Sequence, residues 1–124
     1  MNRTTPAEAR AVEAKAKTEA QFLREVIEMA QGFGWLVSHQ RPAWTEKGWR
    51  TAIQGDPGFP DLVLTRPHPQ APRLLLIELK TERGKLTPAQ QEWRSALGDA
   101  EKRDWEYYLF TPSMMDEIVE TLKR

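Results

Sequence analysis

The 124-residue chain reads as an α/β domain, and three observations predict that class. Two short apolar runs, 61–65 and 73–80, flank the turn RPHPQAP, whose three prolines cannot continue a sheet ladder, so the pair reads as an antiparallel hairpin. Amphipathic stretches with helix-capping signals lie before and after that hairpin. A further apolar run, 105–110, falls between two of the helical stretches, the alternation expected of a sheet covered by helices. The predicted architecture is a mixed sheet of about four strands flanked by helices, in the order α-β-β-β-α-β-α.

The first element is expected to be one long helix. No glycine or proline interrupts the chain between Pro6 and Gly32, and Gly32 and Gly34 supply a C-terminal stop. Phe22, Leu23, Val26, Ile27, Ala30 and Phe33 recur at spacings of three and four and form one apolar stripe. Residues 35–40 read as a short strand. The polar stretch 41–60, punctuated by glycine and proline, is too irregular for helix or strand and is taken as a functional loop. After the hairpin and the TERGK turn, Thr87 is placed to cap a helix with Pro88 at its first position and Gln90 at the third, a variant of the capping box. That helix is expected to run to about residue 100. Thr111-Pro112 then opens a last helix bearing Met115, Ile118, Val119 and Leu122.

Length and composition set outer bounds. At 124 residues, with 40% hydrophobic and 29% charged residues, the chain suits a single globular domain, 1–124. No apolar run approaches the roughly 18–20 residues that span a bilayer, and MNRTTPAEAR lacks the apolar core of a signal peptide, so no membrane association and an intracellular, cytoplasmic setting are expected. The absence of cysteine excludes disulfides, thiolate nucleophiles and thiolate metal sites, which leaves oxygen and imidazole ligands and points to hard cations. Net charge is zero, which argues against binding a polyanion by bulk charge. Residues 41–85 nevertheless hold eight basic and five acidic groups, whereas 99–124 hold four and seven, so the middle of the chain is the better side for nucleic acid.

The chemistry concentrates on the hairpin. Strand alternation puts Leu74, Leu76, Glu78 and Lys80 on one side and Leu75, Ile77 and Leu79 on the other. Glu78 and Lys80 thus point the same way from the end of an apolar strand, where charge is costly without a partner or metal. Asp61 opens the neighbouring strand after Gly58-Phe59-Pro60 and should lie near that end. Two carboxylates and a backbone carbonyl, that of Leu79, make an oxygen set suited to Mg²⁺ or Mn²⁺. Such a cation acidifies water and neutralises charge on a phosphate, the requirement of phosphodiester hydrolysis. Lys80 would orient or deprotonate the water, or stabilise the phosphorane. Counted at 100° per residue, Glu19 falls in the middle of the apolar stripe, unlike Glu25 and Glu28, and is the candidate for an inward-facing outer metal ligand, although Glu8 falls on the same stripe two turns or more earlier.

Three motifs, G-x-P-D-L-V-L at 58–64, I-E-L-K-T at 77–81 and G-K-L-T-P-A-Q-Q-E-W at 84–93, resemble the VRR-NUC branch of the PD-(D/E)xK nucleases, in particular its small standalone members common in phage-derived genes. The resemblance spans about residues 19–122. It matches Asp61 to the PD aspartate, Glu78 and Lys80 to the E-x-K pair, Gln90 to the glutamine of the following helix and Glu19 to an N-terminal acidic residue. It implies a restriction-endonuclease-like core, divalent cations, and DNA cleavage leaving 5′-phosphate and 3′-hydroxyl ends. Standalone members are similar to Holliday junction resolvases, which implies a homodimer acting on branched DNA. The sequence departs from many relatives at 99–102, where they carry an Ala-Gly turn.

Each motif has a plainer reading. E-x-K triplets are common at solvated strand edges, Gln90 has its capping role, and Glu19 would serve equally as a carboxylate paired with a nearby cation. His39, at the end of the first strand, is a candidate phosphate contact, although a lone histidine is more often structural. Arg41, Trp44, Lys47, Trp49 and Arg50 interleave aromatic and basic residues as a DNA-contacting loop would, or as a self-packed cluster or dimer surface would. Arg83 and Lys85 in the TERGK turn are further candidate DNA contacts, while Trp93, Trp105, Met114 and Met115 suit a core or dimer surface. The rivals to a junction resolvase are a flap or nicking nuclease and a catalytically silent DNA-binding or scaffold subunit.

Overall fold

Thr18 divides what the sequence presents as one helix. In the computed structural model, which describes residues 5–39, 43–45, 48–50, 55–67, 72–98 and 104–124, α1 spans Pro6–Ala16 and α2 spans Glu19–Gly32. Each starts with a complete capping box. Thr5 exchanges hydrogen bonds with Glu8, and Thr18 with Gln21. Lys17 is extended, at φ −68° and ψ 127°. A β-branched residue with a side chain able to cap stabilises a new start by about 1 kcal/mol, more than it contributes mid-helix, so the break falls there. Lys17 Nζ then reaches across to Glu25 Oε2 at 2.6 Å.

The strands are β1 (Leu36–His39), β2 (Ala43–Thr45), β3 (Gly48–Arg50), β4 (Leu62–Arg66), β5 (Arg73–Leu79) and β6 (Glu106–Phe110). Four of them form a mixed sheet in the order β1-β4-β5-β6, antiparallel except for the parallel β5–β6 pair. The expected α/β class and hairpin are therefore present. β2 and β3 are a correction, since an irregular loop is expected there: they pair with each other, Trp44 opposite Trp49. Aromatic and β-branched residues close in sequence favour a local hairpin despite the surrounding glycines and prolines.

α3 (Pro88–Leu97) carries the chain from β5 to β6 and ends at Gly98, whose φ of 70° favours glycine, three residues sooner than expected. A 3-10 turn at Pro112–Met114 precedes α4 (Met115–Lys123). Thr111-Pro112 thus opens a tighter turn before the last helix begins.

One face of the sheet is the core. Leu62, Leu64, Leu75, Ile77, Leu79 and Phe110 meet Phe22, Val26 and Ala30 of α2 and Ile118 and Leu122 of α4. The α2 stripe is as its spacing predicts except for Phe33, which caps the helix and is 37% exposed because the chain has already turned away. α3 lies on the other side of the sheet at the Glu78 end, where Gln90 reaches Glu78, while Leu74 on the same face is 41% exposed. At the turn end of the hairpin, Trp35 Nε1 donates to the Leu122 carbonyl at 2.8 Å and the Arg66 guanidinium lies 4.3 Å from the Trp35 ring centre. Arg73 forks onto Glu106 through two bonds of 2.8 and 2.7 Å, and Tyr108 Oη donates to the same carboxylate. No helix of the described residues is long and apolar enough to cross a membrane.

Phe22 has no exposed surface. Phe22→Ala is expected to cost about 3–5 kcal/mol, read as a fall in the urea midpoint at constant m-value. Val12→Ala, at a 64% exposed position, should stay within about 0.5 kcal/mol of wild type.

Candidate active site

The β4–β5 register positions the site. Leu62 pairs with Ile77, so the next residue outward on each strand sets Asp61 against Glu78. Asp61 Oδ2 accepts a hydrogen bond of 2.8 Å from the Leu79 amide, which holds its carboxylate over the end of β5. Alternation places Glu78 on the α3 face, opposite the core-facing Ile77 and Leu79, and its side chain is only 2% exposed. Lys80 follows on the same face, with Nζ 4.0 Å from Glu78 Oε1.

The Leu79 carbonyl also has a defined direction. The Lys80 amide donates to the Phe110 carbonyl of β6, and the intervening peptide is trans. A trans peptide points its C=O opposite its N–H, so the Leu79 oxygen turns towards the β4 side, where Asp61 lies.

Gln90 joins the helix to the carboxylates. Its Oε1 accepts from the Thr87 amide at 2.9 Å, completing the capping box, and its Nε2 donates to Glu78 Oε1 at 3.0 Å. The cap and the contact with the site, alternatives on sequence grounds, are made by the two ends of one amide. Sequence reasoning offers no hint of the clamp behind it. Trp93 Nε1 donates to the Pro57 carbonyl at 3.0 Å, and its ring meets Phe59 edge to face at 5.0 Å. Gly58 between them has φ +99°, and a Cβ there would come within 2.5 Å of the Ala89 backbone. The glycine of G-x-P-D thus lets the segment entering β4 press against the first turn of α3.

Burial raises the Glu78 carboxyl to about 8, aided by the charge of Asp61 and a hydrogen bond with it, against the opposing charge of Lys80; Glu19 adds a smaller upward push. Glu19 is therefore near enough to act electrostatically, but it is exposed rather than inward-facing. It is the first residue of α2, and the apolar stripe becomes buried only from Phe22 onward. Among the described residues no three His, Cys, Asp or Glu side chains converge on one point.

His39 pairs with Leu62, and the pleat sends its half-buried side chain to the α2 face, away from Glu78. Arg83 and Lys85 are exposed in the turn after Lys80. Arg41, Lys47 and residues 99–103 lie outside the described residues, as do the side chains of Trp44, Trp49 and Arg50. Trp105 donates to the Leu97 carbonyl at 3.1 Å, and Met114 and Met115 pack at the core margin.

A mixed sheet with helices on both faces, bearing an aspartate and an E-x-K pair at the ends of adjacent strands, defines a nuclease of the PD-(D/E)xK superfamily. The family model of the VRR-NUC domain matches residues 34–104, more than half of the chain, and the chain belongs to the VRR-NUC family. It is accordingly a nuclease domain acting on DNA. No curated protein and no solved structure matches it significantly.

Glu78 keeps its proton in the folded, metal-free chain up to about pH 8 but releases it near its ordinary 4.5 when unfolded. Its favourable contribution is therefore full below pH 4.5 and is lost as pH rises to about 8. Urea unfolding in chelator at pH 5, 6.5 and 8 should show wild type losing stability relative to Glu78→Gln, and a constant difference would contradict the raised carboxyl. Gly58→Ala should destabilise by more than about 1 kcal/mol in the same assay, through positive φ and the collision with α3.

Proposed function

We propose that the protein is a Mg²⁺- or Mn²⁺-dependent endonuclease that hydrolyses DNA phosphodiesters at the Asp61–Glu78–Lys80 site. The observation that carries this reading is the opposition of two carboxylates at the sheet end, one of them held at about 8 by burial and by the other's charge. A binding-only protein gains nothing from keeping like charges together. The donor set fits a small hard cation, which takes one or two carboxylates and completes its shell with water and phosphate oxygens. Asp61, Glu78 and the Leu79 carbonyl would hold it, with Glu19 as an outer ligand.

When bound, the cation lowers the pKa of water and neutralises charge on the phosphate. The chain's own residues do the rest. Asp61 is aimed by the Leu79 amide, and Glu78 is aimed by Gln90, so neither carboxylate has to reorient when a cation enters. To hold a cation Glu78 would have to be ionised, its proton passing to solvent. Lys80 supplies a positive charge and a hydrogen-bond donor to the phosphate oxygens and orients the attacking water. Water adds to phosphorus, the P–O3′ bond breaks, and the 3′ oxygen leaves with a proton, giving 5′-phosphate and 3′-hydroxyl ends. The resemblance to standalone family members supports a homodimer acting on branched DNA.

The test is cleavage of labelled four-way-junction, flap and linear duplex DNA in Mg²⁺, Mn²⁺ or EDTA. Asp61→Asn and Lys80→Ala should each lower kcat by about 10²–10⁴-fold with unfolding midpoints that show an intact fold. Junction cutting well above linear cutting, with a dimeric mass by light scattering, supports the resolvase reading. Equal activity in EDTA, or in Asp61→Asn, would overturn the mechanism.

A further inference from the structure

An open cavity of about 780 Å³ follows the free edge of β6, with Gln91, Arg94 and Ser95 of α3 on one side, Tyr107 at the strand, and Glu117 and Thr121 of α4 on the other. Its α3 wall leads back towards Glu78 through Gln90. Arg94 lies one helical turn beyond Gln90, about 6 Å along the same face, and Gln90 touches Glu78. Tyr107 pairs in register with Leu76, two residues before Glu78, so the pleat puts its ring on the face that carries Glu78. The Tyr107 hydroxyl is pushed up to about 12, first by burial and then by the charge of Glu78, with Arg94 opposing and Asp61 adding to the rise. That hydroxyl therefore stays a neutral donor, within the field of both carboxylates and of the arginine.

Arg94 differs from the structural cations. Lys17 is paired with Glu25 and Arg73 with Glu106, whereas among the described residues no carboxylate lies within ion-pair distance of Arg94, which is exposed. A planar guanidinium on a rigid helix suits two phosphate oxygens at once. Glu117 stands across β6 on the α4 wall, where its charge discourages a phosphate and leaves the α3 wall as the favourable track.

We infer that this cavity seats the DNA phosphodiester neighbouring the scissile one, gripped by the Arg94 guanidinium and the Tyr107 hydroxyl. The assignment rests on the nuclease reading above. It makes Arg94 and Tyr107 substrate-binding groups, separate from the carboxylate and Lys80 chemistry.

The test measures dissociation constants for fluorescently labelled four-way-junction and linear duplex DNA in EDTA over a range of KCl concentrations, for wild type, Arg94→Gln, Arg94→Lys and Tyr107→Phe. Arg94→Gln should raise Kd about fivefold or more on the DNA that wild type binds and reduce the slope of log K against log salt by about 0.9, the signature of one lost phosphate contact. Arg94→Lys should restore the slope but only part of the affinity, and Tyr107→Phe should weaken binding with the slope kept. Mn²⁺ affinity by calorimetry should be unchanged in all three variants, and KM should rise with kcat within about twofold. Wild-type affinity and slope in Arg94→Gln, no DNA binding by wild type, or Mn²⁺ affinity falling in parallel with DNA affinity would each overturn the assignment. If wild type binds DNA with the predicted Arg94 slope change but never cuts it, the nuclease reading fails and the phosphate seat survives. If cutting is lost in Asp61→Asn while Arg94→Gln binds as wild type, the seat fails and the nuclease stands.

Discussion

The antiparallel register of β4 and β5 is the constraint on which the site depends. It sets Asp61 against Glu78 whatever the two charges prefer, because a slip of one residue would turn Leu62, Leu64, Leu75 and Ile77 out of the core. Apolar burial thus enforces a repulsive pair. The neighbouring features relieve or use that repulsion: Lys80 offsets part of it, the Leu79 amide satisfies one oxygen of Asp61, and Gln90 satisfies one of Glu78.

The two ends of the hairpin make opposite electrostatic choices. At the turn end, Arg73 is matched by Glu106, which is also bonded by Tyr108, and Arg66 spreads its charge over the Trp35 ring and the carbonyls of Phe33 and Leu122. Those charges are spent on structure. At the other end the acidic groups outnumber the cations that face them, and burial with the charge of Asp61 pushes the Glu78 carboxyl up despite Lys80. Such an imbalance at a chosen point is the mark of a site that waits for a ligand.

Much of this was legible because it is local. Alternation in 73–80 placed Glu78 beside Lys80, and the Pro-Asp entry to the preceding strand placed Asp61. The capping pattern Thr87–Gln90 located the helix that reaches Glu78. What was missed needed either a competing local signal or distant parts of the chain. The break at Thr18 has a readable capping box in Thr18 and Gln21, overshadowed by the absence of glycine and proline. Helical phase alone turns Glu19 inward, but phase says nothing about where along its axis a helix leaves the core, and Glu19 is the exposed first residue of α2. The Trp93–Pro57–Phe59 clamp joins segments 36 residues apart in sequence at its hydrogen bond and has no periodic signature. Gln90 shows a different limit: capping and site contact read as alternatives in the sequence, yet an amide has two ends.

β1 and β4 are neighbours in the sheet although 40–61 separates them, and their ladder closes at His39 and Leu62, one residue from Asp61. Both ends of that excursion are therefore pinned by the sheet itself, and the entropy of closing a longer or shorter excursion changes only slowly with length. A change of length between His39 and the Pro57–Phe59 clamp is expected to leave the register that opposes the carboxylates undisturbed. The length of that stretch is thus decoupled from the alignment of the two carboxylates, so the chain beside them can vary while the pair itself stays fixed.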